Sequence, residues 1–373
     1  MMKAVKIRLK PTKEQEEKLW KSVGTARWAY NWALNKQIEN YKKGNKFVPD
    51  GILRKELTQL KKTEDYAWLK EVSNNVTKQA IKDLCQAYKR FFNGKAKHPK
   101  FKTKKKSKPS FYNDNVKLKV KSHLVLLEKI GWVKTSEQIP IDVTYKNPRV
   151  SYDGKYWYLS VAIDFENEEQ VELNDFVLGI DVGVKELVVC SDGQVFKNIN
   201  KTSKVKRLEK RLRRLQRKVS RKYQMNKEGS RFVKTCNIIK LEKKIRLLQR
   251  KLTNIRKNHI FQSVNAIVKT KPSVIAMEDL NVTGMMKNKH LAKAVAQQKL
   301  YDFKRVIQYK CEWLGIKFVE VDRWFPSSKL CCNCGQIKKD LKLSDRTYTC
   351  DCGNKIDRDL NASINLANYA INM

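Results

Sequence analysis

A carboxylate inside an apolar run is the feature that most constrains what this chain can fold into. Residues 177–193 read VLGIDVGVKELVVCSDG, and Asp181 is the prominent polar residue within the aliphatic segment at their start. The pattern predicts two short buried strands joined by a tight turn, where Gly179 and Gly183 would let backbone or a phosphate group approach closely. Burying a carboxylate is costly unless a cation neutralises it, and a metal ion is the simplest such cation. The alternative interpretation is an ordinary hairpin in which Asp181 is a turn residue.

Acidic residues recur at two later places where predicted elements end or begin. The segment SVIAMEDL predicts a buried strand that ends in Glu278 and Asp279, whose side chains point to opposite faces. A later segment opens with Asp357 and Asp359 and continues as a helix. Asp181 can therefore meet one acid from each pair, and the residues alone do not decide which one.

The predicted elements around these acids follow an informative order. A third strand at 194–196 precedes two basic helices within 201–260, and a helix at about 291–314 leads into a strand at 316–321. Three strands, helices, a strand, a helix, a strand and a closing helix is the order of a ribonuclease-H-type α/β fold. Its mixed sheet would bring together acids in the chain order Asp, Glu, Asp.

Three carboxylates that converge on one point repel one another unless divalent cations lie between them. Two Mg²⁺ ions about 4 Å apart can hold a scissile phosphate, activate a water molecule and stabilise the leaving oxygen. We therefore expect phosphodiester hydrolysis with two catalytic Mg²⁺ ions.

The charge balance indicates the class of partner. Lysine and arginine number 80 against 38 acidic residues, which gives a formal net charge of +42. A compact monomer with this charge repels itself strongly, so we expect a polyanionic partner, most simply nucleic acid. Residues 201–260 hold 23 of these cations and three acids, and residues 93–110 hold eight lysines and no acid. Both segments are predicted to contact phosphates.

The sequence shows the pattern of neither a membrane protein nor a secreted one. No run approaches the roughly 18 apolar residues that a membrane span needs, and basic residues interrupt the N-terminus where a signal peptide is apolar. Nine cysteines, five of them between 331 and 352, indicate a reducing compartment rather than a disulfide framework. We expect a cytoplasmic protein that is nucleoid-associated when it is bound to DNA.

The N-terminal region alternates between strand and helix patterns. Residues 1–10 alternate apolar and basic side chains, as a half-buried strand does. Thr12 and Gln15 then form a capping box at the start of a helix, and further helices are expected at about 51–62 and 73–92.

From residue 116 to residue 165 the apolar period falls to two, beginning with a strand at 116–120. This pattern predicts a small β-barrel or sandwich. Since the N-terminal strand is of the same kind, we interpret the helices of residues 11–105 as an insertion into this barrel.

Cysteine pairs in the C-terminal region predict a zinc site. They read CCNCG at 331–335 and CDCG at 350–353. This is the spacing of a zinc ribbon with a shortened second knuckle, and the glycine after each pair gives the turn its conformational freedom. A site closed by four sulfurs has no open position, so its role is structural. The expected ligands are Cys331, Cys334, Cys350 and Cys352, and Cys332 is left spare because Cys-x-x-Cys is the better-formed first pair. The remaining cysteines, predicted as buried thiols, are Cys85, Cys190, Cys236 and Cys311.

With these motifs in view, the chain resembles the TnpB (OrfB) proteins of transposable elements, which are similar to the compact nucleases of type V CRISPR systems. The resemblance covers essentially the whole length. It rests on five motifs in order, which are Gly179–Gly183 (GIDVG), Met277–Asn281 (MEDLN), Phe325–Lys329 (FPSSK), Leu343–Arg346 (LSDR) and Asp357–Asn361 (DRDLN). One departure is the second cysteine pair, which many relatives space by two residues; it bears on the ribbon and leaves the acids untouched.

The resemblance implies a multidomain architecture. A wedge β-barrel domain would comprise residues 1–10 and 106–175, with a helical recognition domain and basic linker inserted at 11–105. A RuvC-like nuclease domain, of ribonuclease-H type, would comprise 176–325 and 354–373 and include the basic helical hairpin 201–260. A zinc ribbon would be inserted in it at 326–353.

The resemblance also implies an RNA-guided endonuclease that cuts double-stranded DNA beside a short element-adjacent motif, with a guide RNA derived from the element's own end. The family motifs select Asp181, Glu278 and Asp359 as catalytic residues and as ligands of two Mg²⁺ ions, alongside one structural Zn²⁺. All three positions hold the expected residue. The expected particle contains one protein chain, its guide RNA and the target DNA.

Three other functions compete with this one. A nucleic-acid-binding repressor would not need the intact set of acids, and an unguided junction nuclease of the same fold would not need the large basic N-terminal half. A DDE-type transposase would place its glutamate last, against the order Asp, Glu, Asp. The sequence therefore favours the RNA-guided endonuclease.

Overall fold

The structure, a computed structural model, describes residues 2–141, 143–164, 172–342 and 344–373. It divides into two compact units, Met1–Glu166 and Asn167–Met373. Leu343 of the LSDR motif and residues 165–171 of the predicted wedge domain lie outside the described residues. In the part of the chain that is described, no helix has both the length and the apolar character needed to cross a membrane.

A seven-stranded antiparallel sheet forms the framework of the first unit. Its strands are β1 (Met2–Lys10), β2 (Ser110–Tyr112), β3 (Lys119–Lys121), β4 (Leu124–Leu127), β5 (Gly131–Thr135), β6 (Tyr145–Tyr152) and β7 (Trp157–Asp164), in the order β2-β6-β7-β1-β5-β4-β3. β1 pairs with β7 on one side and with β5 on the other. The N-terminal strand therefore lies in the same sheet as the strands that follow residue 110, and the intervening helices are inserted between two strands of that sheet.

The inserted helices are α1 (Lys13–Lys42), α2 (Asp50–Leu60) and α3 (Asn74–Phe92), with a 3₁₀ helix at Glu64–Glu71. The predicted capping box is present, since the backbone N–H of Gln15 donates to Thr12 Oγ1 at 3.3 Å and the backbone N–H of Thr12 donates to Gln15 Oε1 at 3.1 Å. Helices and sheet share one apolar core. Arg149 of β6 also donates two hydrogen bonds of 2.8 Å to Asp83 of α3, which ties that helix to the sheet.

One prediction of local structure in this unit was wrong, and one strand was missed. The strand expected at 116–120 is confined to β3, because the residues before it form a turn in which Asp114 Oδ1 accepts from the backbone N–H groups of Val116 and Lys117. The strand β5 was not predicted. It pairs with both β1 and β4, and these neighbours, rather than its own short sequence, stabilise it.

The second unit is built on a five-stranded mixed sheet. In chain order its elements are β8 (Asn174–Val182), β9 (Glu186–Cys190), β10 (Val195–Lys197), a 3₁₀ helix (Ile199–Lys201), α4 (Ser203–Met225), β11 (Lys227–Glu228), β12 (Arg231–Phe232), α5 (Cys236–Lys269), β13 (Pro272–Glu278), α6 (Val282–Met285), α7 (Ala292–Gln298), α8 (Leu300–Leu314), β14 (Lys317–Val321), β15 (Thr347–Thr349), β16 (Lys355–Asp357) and α9 (Arg358–Ile371). The sheet order is β10-β9-β8-β13-β14. The first three strands are antiparallel, and β8, β13 and β14 are parallel.

The two faces of this sheet have different roles. On one face, Leu178 and Ile180 of β8 pack with Val264 of α5 and Phe303 of α8 in the larger apolar core. On the other face lies α9, which contributes Leu366 to a smaller cluster with β13 and β14. Residues of β8 between the apolar positions therefore face α9.

The helix expected at 291–314 is broken in two, which corrects the prediction. Lys299 adopts a left-handed conformation, with φ of 58° and ψ of 43°, and separates α7 from α8. The preceding residue, Gln298, is buried, and its Nε2 donates to the backbone oxygens of Gly183 at 3.2 Å and Glu186 at 3.3 Å. A buried amide needs such partners, so a tertiary contact accompanies the break in the helix. The helical periodicity of the sequence did not reveal this break.

Helices α4 and α5 form the predicted basic hairpin. They are joined through β11 and β12, with Gly229 at a positive φ of 56° in the turn between them. The acid of α4, Glu209, accepts a 2.6 Å hydrogen bond from Arg256 of α5. Glu209 is thus paired within the hairpin, and most of the hairpin's lysines and arginines are exposed.

Candidate functional site

The carboxyl end of β8 is where the sheet meets α9 most closely. A Cβ built on Gly179 would lie 1.8 Å from the backbone oxygen of Ser363 and 2.6 Å from the backbone nitrogen of Ala367, so only glycine fits there. Since side chains alternate along a strand, Asp181 faces the same layer as Gly179. Asp359 lies one turn before Ser363 on the same side of α9. The close approach therefore directs Asp359 toward Asp181.

Glu278 reaches the same place through strand register. β8 and β13 run parallel, with Met277 opposite Ile180. The next residues along the two strands are Glu278 and Asp181, which lie on neighbouring strands and face the same layer. The strand alternation and the register place both carboxylates on the α9 face of the sheet.

The two acids at the start of α9 have different surroundings. Asp357 is the N-cap, and its Oδ1 accepts from the backbone N–H groups of Asp359 at 2.9 Å and Leu360 at 3.2 Å. The side chain of Asp359 is 15% exposed, and its Oδ1 lies 3.7 Å from Arg358 Nε. Asp357 therefore stabilises the helix end, while Asp359 lies on the face that meets β8.

The electrostatics show that the acids lie within one another's field. Burial raises the pKa of Asp181 to about 7, with further contributions from the charges of Asp359 and then Glu278, against a smaller opposing effect of Arg358. Burial also raises the pKa of Glu278, together with the charge of Asp279. Mutual repulsion of this kind is relieved by bound divalent cations.

Asp279 belongs to a separate group of charges. Lys304 of α8 donates to its Oδ1 at 3.0 Å, and Arg323 forms an ion pair with its Oδ2. Its backbone N–H donates to the backbone oxygen of Val321 at 2.9 Å. Asp279 is therefore ion-paired with two cations on the side away from the other acids, although its charge still acts on the neighbouring Glu278.

The three acids are not drawn tightly together. Among the described residues, the cysteine cluster alone has three or more metal-ligating atoms within 4.8 Å of one another. Two metal ions about 4 Å apart are held by ligands that lie farther from one another than the ligands of a single ion do. A looser arrangement of the three acids is therefore the one expected for two ions. A cavity of ≈ 240 Å³, lined in part by Lys185, Asp357 and Asp359, opens this region to solvent. Of the three acids, Asp359 lines this cavity, and carboxylate oxygens are ligands that suit hard divalent cations.

The four predicted zinc ligands come together in the ribbon. Cys331 Sγ lies 3.7 Å from Cys352 Sγ, and Cys334 Sγ lies 3.5 Å from Cys350 Sγ. These sulfurs form the group whose atoms all lie within 4.8 Å of one another. Four sulfurs at these separations fit a tetrahedral metal site.

The turns of the two knuckles have the conformation expected from their glycines. Gly335 has a φ of 75° and Gly353 a φ of 84°, a region that favours glycine. Cys332 lies outside the group of four sulfurs, and its Sγ accepts from Asn354 Nδ2 at 3.5 Å. The shortened second pair therefore still closes the cluster.

Two asparagines whose contacts were not predicted from the sequence tie α9 to the ribbon. Asn361 donates from Nδ2 to the backbone oxygen of Leu330 at 2.7 Å and accepts from the backbone N–H of Cys332 at 3.0 Å. Asn365 donates to the backbone oxygens of Ser327 and Leu330, both at 2.7 Å. Both side chains are buried. Polar residues on the inner face of an otherwise apolar helix were the sequence signal that could have revealed these contacts.

Three family models match parts of the chain. A model of the OrfB IS605 group, described as a probable transposase, matches residues 160–289, and one of the same group, described as a helix-turn-helix domain, matches residues 1–46. A model described as a Cas12f1-like TNB domain matches residues 301–366. The described part of the segment matched by the helix-turn-helix model, residues 2–46, holds the strand β1 and the helix α1.

Relatives match along nearly the whole chain. It is 30% identical over 364 residues to the "Putative RNA-guided DNA endonuclease InsQ" of Escherichia coli (strain K12), with 94% of this chain and 87% of the relative covered. It is 32% identical over 377 residues to a "Putative RNA-guided DNA endonuclease" of Streptomyces pristinaespiralis, with 98% and 88% covered. A solved structure, "Cryo-EM structure of the Cas12f1-sgRNA-target DNA complex", matches with a TM-score of 0.60 over 98% of both chains at 13% identity.

The fold is therefore that of a compact, type V-like protein, with an acidic group on its second sheet and a ribbon closed by four cysteines. The relatives define the family more narrowly. The chain belongs to the TnpB (OrfB) family of transposon-encoded proteins, which confirms the resemblance seen in its motifs.

Proposed function

We propose that this chain is the RNA-guided DNA endonuclease of a transposable element and that it hydrolyses DNA phosphodiester bonds at Asp181, Glu278 and Asp359. The observation that carries the proposal is the group of three interacting acids at one end of the mixed sheet. Whole-length similarity to relatives of that name supports it. The sheet order, with three antiparallel strands extended by two parallel ones, supports a RuvC-like domain of ribonuclease-H type.

The surroundings of the acids fit divalent cations. Two Mg²⁺ ions held by the three carboxylates would supply the positive charge that orients the scissile phosphate, activates a water molecule and stabilises the leaving oxygen. Carboxylate oxygens are the ligands that Mg²⁺ takes from proteins. With its pKa raised to about 7, Asp181 is about half protonated at neutral pH, and a divalent cation held beside it would favour the deprotonated form. Strand register positions Asp181 and Glu278, and the packing of α9 positions Asp359.

The cysteine cluster is assigned a structural Zn²⁺. Four thiolates with no open position suit zinc and exclude a catalytic role for it. Since Asn361 and Asn365 join the ribbon to α9, the metal would stabilise the helix that carries Asp359.

The same proposal assigns roles to the two units and their partners. The first unit, Met1–Glu166, would hold the recognition helices with their basic linker (11–105) and most of the wedge domain (1–10 and 106–175). The proposed boundary at 175 falls inside β8 (Asn174–Val182), which belongs to the second unit. The second would comprise the RuvC-like domain (176–325 and 354–373) and the zinc ribbon (326–353). A net charge of +42 supports polyanionic partners, which we assign as a guide RNA and double-stranded target DNA. The proposed particle holds a single protein chain.

The test uses the ribonucleoprotein obtained by expressing the chain with its native downstream flank. Asp181→Ala should reduce Mg²⁺-dependent cleavage of a guide-matched plasmid to background and leave the bound RNA unchanged. The matched control is Asp192→Asn, which alters an exposed acid in the turn between β9 and β10 and should cut normally.

Each competing function predicts a different outcome of the same test. Cutting by Asp181→Ala at the wild-type rate would contradict the assignment of the acids. RNA-dependent DNA binding without cutting by the wild type would favour a repressor, and cutting of branched DNA without RNA would favour a junction nuclease.

A further inference from the structure

An unusually exposed indole lies in the segment that follows β14. Trp324 is 84% exposed, the highest fraction among the large hydrophobic side chains that the structure describes. Other tryptophans with exposed faces, such as Trp20 and Trp68 at 39%, are less than half as exposed. Single exposed hydrophobic residues are common on protein surfaces, so exposure becomes informative here only together with rigidity and location.

The backbone on both sides of Trp324 is anchored. Its N–H donates to Asp322 Oδ1 at 2.7 Å, and the N–H of Phe325 donates to the backbone oxygen of Asp322 at 3.0 Å. The ring of Phe325 packs on Tyr369 of α9, with ring centroids 4.8 Å apart. Arg323, on the other side, is held in an ion pair at the end of β13. The indole is therefore presented outward from a fixed turn.

Trp324 is also close to the acidic group. Glu278 lies opposite Val321 in the register of β13 and β14, and Trp324 follows Val321 by three residues. Neighbouring strands are about 4.8 Å apart, and three residues of chain span at most about 11 Å. The Cα atoms of Glu278 and Trp324 therefore lie within about 16 Å, a length that about five stacked nucleotides span at roughly 3.4 Å each.

We propose that Trp324 is a stacking platform for an unpaired base of the DNA strand being cut, a few nucleotides from the scissile phosphate. Every base has a π face, and stacking on an aromatic side chain contributes about 1–3 kcal/mol per base with little dependence on sequence. An enzyme that cuts at varied targets needs contacts of this sequence-tolerant kind beside its acids. The inference rests on the proposed function, because it takes the acids to be the place where the strand is cut.

The binding arm of the test uses the full ribonucleoprotein carrying Asp181→Asn, so that the DNA is not consumed. The probe is guide-matched DNA in which 2-aminopurine replaces single bases around the cut position mapped with the wild-type chain. Stacking on Trp324 should quench the probe at one or two adjacent positions. Trp324→Leu, which keeps apolar bulk without a π face, should abolish this quenching, and Trp324→Tyr should retain it.

The kinetic arm uses the active chain. Trp324→Leu should lower kcat/KM for DNA about tenfold, with unchanged Tm and bound RNA, and Trp324→Tyr should restore it. Unchanged quenching in the leucine variant would overturn the inference, whether or not cleavage changes. If the wild type itself does not cut, the proposed function fails, and probes placed along the whole unpaired strand still show whether Trp324 stacks on DNA.

Discussion

Gly179 of β8 and Ser363 of α9 pack backbone against backbone, so closely that a Cβ on Gly179 would come within 1.8 Å of the Ser363 carbonyl oxygen. Neither partner is a flexible side chain that can move aside. We expect Gly179→Ala to destabilise the second unit by about 3 kcal/mol, at the upper end of overpacking costs, and to abolish cleavage because α9 carries Asp359. Thermal unfolding and plasmid cleavage measure the two effects.

Gly183→Ala is the matched control for this substitution. The nearest atom to a Cβ at Gly183 is the backbone oxygen of Glu186 at 3.5 Å, an ordinary contact. This variant should unfold within about 1 kcal/mol of the wild type. Equal destabilisation by both substitutions would show that the contact with Ser363 is not the cause.

Asp181→Asn should make the cation-free protein more stable at high pH. The raised pKa of Asp181 means that its contribution to stability is full below its ordinary value of 3.8 and is lost as the pH rises through about 7. At about 1.4 kcal/mol per unit, the loss reaches up to about 4 kcal/mol. In urea unfolding with EDTA, the asparagine variant should therefore have the higher free energy of unfolding at pH 8, and the two proteins should differ little at pH 4. Added Mg²⁺ should stabilise the wild type alone; stabilisation of both would argue against binding at Asp181.

Asp83→Asn should destabilise the first unit at neutral pH and have little effect in acid. Burial raises the pKa of Asp83, but hydrogen bonds from Arg149 and Gln79 outweigh it and hold the pKa below the ordinary value. The stabilisation is therefore present at neutral pH and is lost as the pH falls through that lowered pKa. We expect a loss of about 1–3 kcal/mol at pH 7, converging with the wild type below pH 4.

The exposed pair Lys21–Glu71 is the control for the Asp83 variant. Its side chains are 60% and 52% exposed, and exposed ion pairs contribute little. Glu71→Gln should leave the urea midpoint of the wild type unchanged at any pH. An effect as large as that of Asp83→Asn would indicate a general charge effect.

Single substitutions of the adjacent residues Cys331 and Cys332 should show which of the two binds the metal. Cys331→Ser removes a sulfur from the group of four, so we expect loss of the bound zinc and a lower Tm. Cys332→Ser, one residue further, should retain one zinc per chain. Metal content by mass spectrometry decides the matter, and zinc loss in the second variant alone would reverse the assignment.

An arginine row on α4 should contribute to the salt dependence of nucleic-acid binding. Arg213, Arg217 and Arg221 recur every four residues, about 6 Å apart along the helix, and line an open groove of ≈ 450 Å³ with Gln216 and Ser220. Changing all three to glutamine should lower the slope of log K against log salt by about 2–3. Arg256→Gln, which breaks an internal ion pair, should lower stability and leave that slope unchanged.

The sequence predicted those parts of the fold that local patterns determine. The capping box at Thr12, the order of strands around Asp181 and the glycine turns of the ribbon each depend on a few adjacent residues. The strand β5 and the break at Lys299 depend on neighbours distant in the chain, so their own residues carried little signal.

The candidate site was also predictable only in part from local patterns. Residue patterns alone produced two candidates at each of the later acidic positions, and the family motifs chose between them. The structure adds physical reasons for that choice, because Asp279 is paired with Lys304 and Arg323 and Asp357 caps α9. The hydrogen bonds of Asn361 and Asn365 join residues 29 to 38 positions apart; polar residues on the inner face of α9 indicate that a buried partner exists, but they do not identify the segment that supplies it.

Those two asparagines also determine how far this protein can be trimmed. Two of the three acids lie on adjacent strands that hydrogen-bond to each other, whereas Asp359 lies on a helix that is anchored to the ribbon through Asn361 and Asn365. An engineered miniature that discards the ribbon and rejoins the chain would keep Asp181 and Glu278 in register and lose the support that orients Asp359. On the proposed assignment of the three acids, the ribbon therefore belongs to the smallest segment that would hold all of them in place.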